Sequence, residues 1–284
     1  TVCVSEFNLR NLRYMDASTY RITLLPGDGI GPEVIAATRT VLDRVAEVGG
    51  FELIFSDHPV GGAAIDELGE PLPSSTREAA SASDAVLLGA VGGPKWDDTT
   101  GEDRPEAGLL GLRKLLGVYA NLRPVQVREA LAESTPLRPE NAAGTDLLIV
   151  RELTGGIYFG EPSERAGSGD EEYAVNGMRY SRPEIRRIAR VAFEWAGRRG
   201  GRVTSVDKAN VLEVSQLWRE VVEEVHAEEY PEINLNHLYV DNAAMQVVLD
   251  PTQFDVVLTG NLFGDSLSDL AATLPGSLGL LPSA

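Results

Sequence analysis

The chain contains very little cysteine and lysine. Its 284 residues include one cysteine, Cys3, and three lysines, Lys95, Lys114 and Lys208. A single cysteine cannot form an internal disulfide, which excludes a cross-linked secreted scaffold and is consistent with a reducing compartment. No apolar run approaches the length that spans a bilayer, and no basic region followed by an apolar stretch opens the chain. We therefore expect a soluble cytoplasmic protein without a membrane anchor.

Positive charge is also scarce. The 25 basic residues face 43 acidic ones, for a formal net charge of -18 and a pI near 4.6. This balance argues against a nucleic-acid partner, which requires a basic face. An acidic surface poor in lysine is typical of adaptation to high salt, where cations screen self-repulsion. A GC-rich genome, which favours arginine, combined with an acidic surface for solubility is the alternative interpretation.

The length and the apolar content predict a globular protein of two modest domains. Apolar residues make up 43% of the chain, enough to bury a sizeable core. Strands and helices alternate along the sequence, which favours an α/β protein with helices packed on largely parallel sheets. Strands are predicted at 20–25, 85–88, 146–150, 203–206, 236–240 and 255–258, and helices at 32–48, 75–82, 107–116, 183–199, 211–229 and 264–273. Residues 1–19 show no period and are interpreted as an N-terminal extension.

Two segments depart from this alternation. Residues 160–182 are too polar for a core and too long for an ordinary connection, so they predict a protruding arm or a flexible loop. The glycine loop at 27–31 has the spacing GxGxG followed by Pro32. This differs from GxGxxG, and we do not expect a Rossmann dinucleotide-binding domain.

An acidic helix is the first candidate site. Asp265 and Asp269 follow a buried strand and are four residues apart, so both carboxylates project from one helical face. Like charges at this spacing repel unless a cation lies between them, and hard oxygen ligands suit Mg²⁺ or Mn²⁺. Taken alone, such a pair is more often an acidic, solvated helix start that the helix dipole favours.

Two further strand ends carry reactive groups. Asp241 follows one apolar strand, and Lys208 follows another in a chain almost without lysine. A partly desolvated lysine near a metal can act as a general base. Tyr158, beside a flexible glycine pair, could donate a proton. The alternatives are a surface lysine and an ordinary half-buried tyrosine.

Three arginines form the last candidate group. Arg113 and Arg123 are ten residues apart, and Arg151 ends a predicted strand. Guanidinium groups pair bidentately with carboxylates, so three that converge would suit a dicarboxylate substrate. Each of them, considered separately, is more often a surface salt bridge.

Five segments together resemble the β-decarboxylating dehydrogenases that act on isocitrate and isopropylmalate, and within them the isopropylmalate branch. The resemblance runs from Tyr20 to Ala284 and rests on LPGDGIGPE, LGAVGGPKW, RELTGGIYFG, DKANVL and TGNLFGD, at 25–33, 88–96, 151–160, 207–212 and 259–265. It implies a two-domain fold with a first, cofactor-side domain at 20–118 plus 276–284. The second domain, for metal binding and dimerisation, would span 119–275 and include the arm at 160–182. The resemblance also implies a C-terminal segment beyond Ala284, which grips adenosine and completes the first domain.

The resemblance assigns roles to the candidate residues. It implies that Arg113, Arg123 and Arg151 hold substrate carboxylates, with Asp241 beside them, and that Asp241, Asp265 and Asp269 bind Mg²⁺ or Mn²⁺. Lys208, assisted by Asp241, would deprotonate the substrate hydroxyl, and Tyr158 would protonate the enol. Lys208 and Asp241 would reach the site from the partner of a homodimer. The residues implied for NAD are Gly93, Pro94, Lys95, Trp96, Glu106 and Asn210.

The resemblance also implies the substrate. Isocitrate enzymes carry a serine and an asparagine six and four residues before the first substrate arginine, where this chain has Ala107 and Leu109, followed by Leu110. An apolar pocket fits an isopropyl group and leaves a carboxylate without partners. The expected reaction is oxidative decarboxylation of 3-isopropylmalate. A sibling hydroxy-acid dehydrogenase, for isocitrate, homoisocitrate or tartrate, or a non-catalytic metal-binding or assembly subunit, are the alternatives.

Overall fold

The computed structural model describes residues 2–3, 18–99, 101–130 and 135–284. Most of the predicted extension at 1–19 lies outside these ranges. The chain divides into two compact units, Thr1–Val118 with Ala284, and Tyr119–Ser283. None of the helices in the described ranges is long and apolar enough to cross a membrane.

The first unit is built on a four-stranded sheet. Its strands are β1 (Val2–Cys3), β2 (Thr19–Gly27), β3 (Glu52–Asp57) and β4 (Ala85–Ala90), in the order β1-β4-β2-β3. Its helices are α1 (Gly31–Gly49), α2 (Gly62–Leu68), α3 (Ser74–Ala82) and α4 (Pro105–Leu116). Leu24 and Leu87 pack with Ile35 of α1 on one face of the sheet. Leu25 and Leu88 pack on the other face with residues of α3 and α4, so the strands are apolar on both faces, as parallel sheets require.

The second unit contains a five-stranded sheet in the order β10-β9-β11-β6-β5. These strands are β5 (Ala120–Gln126), β6 (Asp146–Glu152), β9 (Arg202–Asp207), β10 (Asn234–Tyr239) and β11 (Val256–Thr259). All run parallel except the edge strand β5, which is antiparallel to β6. The helices are α5 (Pro139–Ala142), α6 (Arg182–Gly197), α7 (Glu213–Glu229), α8 (Val240–Leu249) and α9 (Asn261–Ala272).

Helices cover both faces of this sheet. Alternate residues of β6 point to opposite sides, so Leu148 and Val150 pack with α6 and α7, while Leu147 and Ile149 pack with α8 and α9. The six predicted helices and the six predicted strands are all present within a few residues of their expected bounds. The fold therefore follows the α/β alternation that the sequence predicts.

The segment at 160–182 is a hairpin rather than an irregular loop. Strands β7 (Ser163–Ala166) and β8 (Tyr173–Asn176) pair antiparallel, with Ser163 opposite Asn176. Its side chains are mostly exposed. Cross-strand pairs such as Arg165 with Glu172, at 2.7 and 2.9 Å, hold the two strands together. We call residues 163–176 the arm hairpin.

The C-terminal residues differ from expectation. Residues 276–283 were expected in the first domain but belong to the second unit. Leu281 packs against the core formed by α8 and α9, and the amide of Asn121 donates to Ser283 Oγ at 2.7 Å. These residues therefore find their partners on β5 and beside α9.

Candidate functional site at the carboxyl edge of the second sheet

Polar residues gather where the parallel strands of the second unit end. The carboxyl ends of β10, β9, β11 and β6 lie side by side, which is where α/β proteins bind ligands. In that order the ends carry Asp241, Lys208, Asn261 and Arg151. The sequence predicted three of these four residues as functional.

Arg151 is held beneath the start of α9. Its side chain is 3% exposed, and Nε and Nη2 donate to Asn261 Oδ1 at 3.1 and 2.7 Å, while Nη1 bonds Asp265. Gly264 admits the arginine, because a Cβ there would lie 2.6 Å from Arg151 Cγ. A buried charge is tolerated only when it is paired and hydrogen-bonded. The NLFGD segment supplies the amide, the glycine and the carboxylate on one helical face.

Arg123 approaches the same helix from the edge strand β5. Its Nη1 donates to Ser268 Oγ at 2.5 Å and to Asp269 Oδ1 at 3.1 Å, and its Nη2 lies 3.7 Å from Asp265 Oδ1. Two guanidinium groups and two carboxylates therefore meet on one face of α9. The structure brings together four of the residues that the sequence singled out.

Asn261 is the central residue that sequence reasoning missed. Besides binding Arg151, its amide donates to the carbonyls of Leu153 and Gly155 at 3.1 and 3.2 Å. Its backbone N–H donates to the hydroxyl of Tyr180 at 2.7 Å, and the residue is 1% exposed. The available signal was its position, since a buried asparagine at the first turn of a helix after a buried strand needs partners for its whole amide.

Tyr158 points its phenol at the same carboxylate. Its hydroxyl donates to Asp265 Oδ2 at 3.1 Å, and its ring lies 6.0 Å from the Arg151 guanidinium carbon. Partial burial, followed by the negative charge of Asp265, raises the pKa of Tyr158 above its ordinary value. The phenol therefore stays protonated at neutral pH and is available as a proton donor.

Asp265 and Asp269 present a donor set that suits a hard cation. Their side chains are 36% and 61% exposed, and carboxylate oxygens one helical turn apart match the preference of Mg²⁺ and Mn²⁺. Within the described residues of one chain, no three acidic, histidine or cysteine side chains come together as a metal site. Asp241 thus does not join the pair within one chain.

Lys208 and Asp241 form a second, separate pair. Lys208 Nζ donates to Asp241 Oδ1 at 2.9 Å, with side chains 27% and 67% exposed. The lysine hydrogen bond holds the pKa of Asp241 below its ordinary value. No hydrogen bond or ion pair between described residues joins this pair to Asp265 or Asp269. Asn210, the other predicted residue of this strand end, lies exposed in the turn after Lys208.

In the first unit, one buried carboxylate organises the loops around the predicted cofactor residues. Asp28, 3% exposed, accepts the backbone N–H groups of Gly62, Ala63 and Gly92 at 2.9, 2.6 and 2.8 Å. The glycine loop is therefore a hub that joins three loops, and no signal short of the fold reveals this role for Asp28.

A polar cavity of about 220 Å³ follows this hub. It is lined by three predicted cofactor residues, Gly93, Trp96 and Glu106, together with Asp97, Thr99, Arg104 and Pro105. Trp96 Nε1 is buried without a hydrogen-bond partner among the described residues. Lys95 stacks over the Trp96 ring at 5.2 Å and pairs with Asp66, and Pro94 opens the same turn.

The predicted substrate residues of the first unit lie on α4. Arg113 is in its last turn, Leu109 packs partly against the core of the unit, and Leu110 is half-buried. The helix ends at Gly117, which takes a left-handed conformation with φ 64°. These residues share one short helix with Glu106, so α4 carries predicted residues of both the substrate and the cofactor groups.

The fold, together with the arginines and carboxylates at the strand ends, defines a class of protein: a two-unit α/β enzyme for a small anionic substrate. The family model for isocitrate/isopropylmalate dehydrogenase matches residues 21–284. The chain belongs to this family, and it is an oxidoreductase. The resemblance drawn from the five sequence segments is thereby confirmed.

Relatives support the same branch. The chain is 66% identical to a 3-isopropylmalate dehydrogenase of Salinibacter ruber over 95% of its own length and 72% of that protein. It is 59% identical to one of Oleidesulfovibrio alaskensis over 93% and 74%. An isocitrate dehydrogenase structure from Methylococcus capsulatus superimposes with a TM-score of 0.80 at 35% identity, covering 93% of this chain and 74% of that one. The predicted fold class is confirmed.

Proposed function

We propose that the protein catalyses the oxidative decarboxylation of 3-isopropylmalate to 4-methyl-2-oxopentanoate and CO₂, a step of leucine biosynthesis, with NAD as oxidant. The observation that carries the proposal is the cluster of Arg123, Arg151 and Tyr158 around the Asp265 carboxylate. Relatives named for this activity, at 54% to 66% identity, support the choice of substrate.

The electrostatics of the cluster favour joint binding of cation and substrate. Arg123 and Arg151 lie beside the carboxylates that would hold Mg²⁺ or Mn²⁺, and two guanidinium groups repel a dication. A dicarboxylate offsets that repulsion by pairing with the arginines. Asp265, Asp269 and the partner-supplied Asp241 would bind the cation, which polarises the substrate hydroxyl and stabilises negative charge on its oxygen.

The protein groups then have distinct tasks. Arg113, Arg123 and Arg151 would bind the carboxylates, with Leu109 and Leu110 against the isopropyl group. Lys208 would take the proton of the C2 hydroxyl, and NAD, when bound, would supply the oxidant. Tyr158, kept protonated by its surroundings, would deliver a proton to carbon after CO₂ leaves. Gly93, Pro94, Lys95, Trp96, Glu106 and Asn210 are the residues proposed for NAD.

The proposal includes a homodimer with shared sites. Asp241 and Lys208 form their own pair away from Asp265 within one chain, as expected if they serve the site of a second copy. Met245 and Leu249 of α8 are 58% and 64% exposed, which is a large apolar exposure for one short helix. A second copy that covers α8 would bury these side chains and bring Asp241 with it. A cytoplasmic location stays a prediction.

The test compares substrates, metals and variants. NADH formation should require Mg²⁺ or Mn²⁺ and should be much faster with 3-isopropylmalate than with isocitrate, homoisocitrate or tartrate. Lys208→Ala should abolish turnover without changing the oligomeric state measured by light scattering. Lys114→Ala, an exposed lysine outside the site, is the matched control. Full turnover by Lys208→Ala would refute the assigned base, and a faster reaction with isocitrate would reassign the substrate.

Metal binding has a test that needs no turnover. Enhancement of water-proton relaxation by Mn²⁺ reports the bound ion directly. We expect binding to strengthen when 3-isopropylmalate is present and to weaken in Asp269→Asn. Asp43→Asn, which removes an exposed acidic group of α1 in the first unit, is the control for lost charge. Equal losses in both variants would argue that Mn²⁺ responds only to overall charge.

A further inference from the structure

Three side chains tie together the strand ends that carry Lys208 and Asp241. Asp207 is the last residue of β9 and Tyr239 the last of β10, and the two are direct partners in the parallel register. Arg219 of α7 binds the Asp207 carboxylate through Nε at 3.0 Å and Nη2 at 2.9 Å. Its guanidinium carbon lies 5.2 Å from the centre of the Tyr239 ring. We call Asp207, Arg219 and Tyr239 the strand-end clamp.

The clamp fixes the backbone on both sides of the lysine–aspartate pair. Asp207 Oδ1 also accepts the N–H of Ala209 at 2.8 Å, so the turn that contains Lys208 closes around one carboxylate. On the other strand, α8 begins immediately after Tyr239 and carries Asp241 in its first turn. Movement of either strand end would change the 2.9 Å separation of Lys208 Nζ and Asp241 Oδ1.

Burial and geometry distinguish the clamp from a surface ion pair. The Asp207 side chain is 2% exposed and that of Arg219 is 26% exposed, and the contact is a two-point fork. A planar fork fixes orientation as well as distance, which the point charge of lysine cannot do. We infer that Arg219 is a positioning residue that sets the placement of Lys208 against Asp241. The catalytic consequence rests on the proposed function, whereas the geometric one does not.

The scarcity of lysine provides a direct measurement. Reductive methylation with ¹³C-formaldehyde labels only the amino terminus and the three lysines of the chain, and each gives a separate NMR signal. The signal that disappears in Lys208→Arg is assigned to Lys208. Asp241→Asn gives the chemical shift of that signal when the ion pair between Lys208 and Asp241 is broken. Arg219→Lys keeps the charge but removes the fork, so the Lys208 signal should move toward its position in Asp241→Asn. The signals of Lys95 and Lys114 should stay unchanged.

A matched control separates positioning from general stability. Arg190 makes a similar fork with Glu229, at 2.8 and 2.7 Å, between α6 and the end of α7. Arg190→Lys should leave the Lys208 signal in place. Circular dichroism confirms that each variant is folded.

Two results would overturn the inference. An unmoved Lys208 signal in Arg219→Lys would show that the fork does not position the lysine. An unmoved signal in Asp241→Asn would show that the pair does not exist in solution. On the active enzyme, Arg219→Lys should lower kcat by at least tenfold with little change in KM, unlike Arg190→Lys. If no turnover of 3-isopropylmalate is found at all, the proposed function fails while the NMR result still decides the positioning role.

Discussion

At the scale of single residues, the site depends on side chains that satisfy several neighbours at once. Asn261 uses its whole amide and its backbone N–H. Asp28 accepts three N–H groups. Such groups are costly to replace, because every partner left behind is a buried polar atom without a hydrogen bond. Substitutions next to these residues therefore give the sharpest tests of the structure.

Gly264→Ala should destabilise the protein. The new Cβ would meet Arg151 at 2.6 Å, and overpacking of a buried site costs about 1–3 kcal/mol. The matched control is Gly197→Ala in α6, where the nearest side-chain atom would be 3.9 Å away and alanine is the better helix former. Urea denaturation should show a loss for the first variant and none for the second. Equal stability of the two would mean that Arg151 is not packed under α9.

Tyr180 should make stability depend on alkaline pH. Burial, followed by the charge of Glu152, raises its pKa above the ordinary 10.0. The folded state keeps the phenol proton at a pH where the unfolded chain would release it. The contribution of Tyr180 to the free energy of unfolding is therefore complete below pH 10 and is lost as the pH rises above 10. Tyr180→Phe should cost about 1–3 kcal/mol at neutral pH, because the Asn261 N–H loses its acceptor, and should reduce the alkaline loss.

Denaturation curves at neutral and alkaline pH measure both effects. Tyr20→Phe serves as the control, since this side chain is 43% exposed. Its curves should match those of the unaltered protein at every pH. A Tyr180→Phe variant that loses stability with pH as steeply as the unaltered protein would contradict the assignment.

At the scale of elements, the sequence predicts those that are apolar or strongly periodic. β6, β9 and β11 are short segments that are buried almost throughout, whereas the buried residues of α6 and α7 recur at helical spacing. β5 was missed because Pro124, Asn121 and Arg123 interrupt its alternation, and proline is tolerated there only because β5 is an edge strand. α8 was missed because the apolar residues at 238–240 extend the predicted strand as far as Val240, which is the first residue of the helix.

The site shows the same division. The chemical groups Arg151, Asp265 and Lys208 could be picked out as unusual residues at strand ends. For Asn261 the only signal was its position at the start of a helix. Asp207 and Arg219 could not be picked out, because which atoms meet depends on strand register and on how deeply α7 packs. The catalytic, substrate, metal and cofactor roles given to all of these residues rest on the resemblance and stay predictions.

The arm hairpin should control association. Replacing its tip, residues 168–171, by a two-residue turn should leave the proposed dimer intact, whereas removing residues 163–176 should weaken it, because the side chains of the hairpin are mostly exposed within one chain and available to contact a second copy. Sedimentation velocity over a range of concentrations measures the dissociation constant, and far-ultraviolet circular dichroism serves as the folding control. An unchanged dimer after complete removal of the hairpin would exclude it from the interface.

At the scale of the whole molecule, charge is the dominant property. The net charge of -18 produces self-repulsion that added salt screens. Salt also weakens the ion pairs between α6 and α7, such as Arg182 with Glu224 and Arg190 with Glu229, but exposed pairs contribute only about 0–1 kcal/mol each. Relief of the net repulsion should therefore outweigh their loss.

The melting temperature should rise with KCl. Scanning calorimetry from low to molar KCl, with choline chloride as a second salt, measures the effect and its dependence on the cation. A clear rise favours adaptation to a salty cytoplasm. A flat or falling curve would favour the other interpretation, in which acidity serves solubility and the arginine content follows from genome composition.

The ends of the arm hairpin lie close together, and this has a consequence for how the protein can diversify. The N–H of Gly177 donates to the carbonyl of Pro162 at 2.7 Å, so the hairpin leaves and re-enters the second unit at one point. A segment inserted in this way can change length, charge or sequence without disturbing the sheet from which it grows. The hairpin can therefore vary while the residues at the strand ends stay under separate selection.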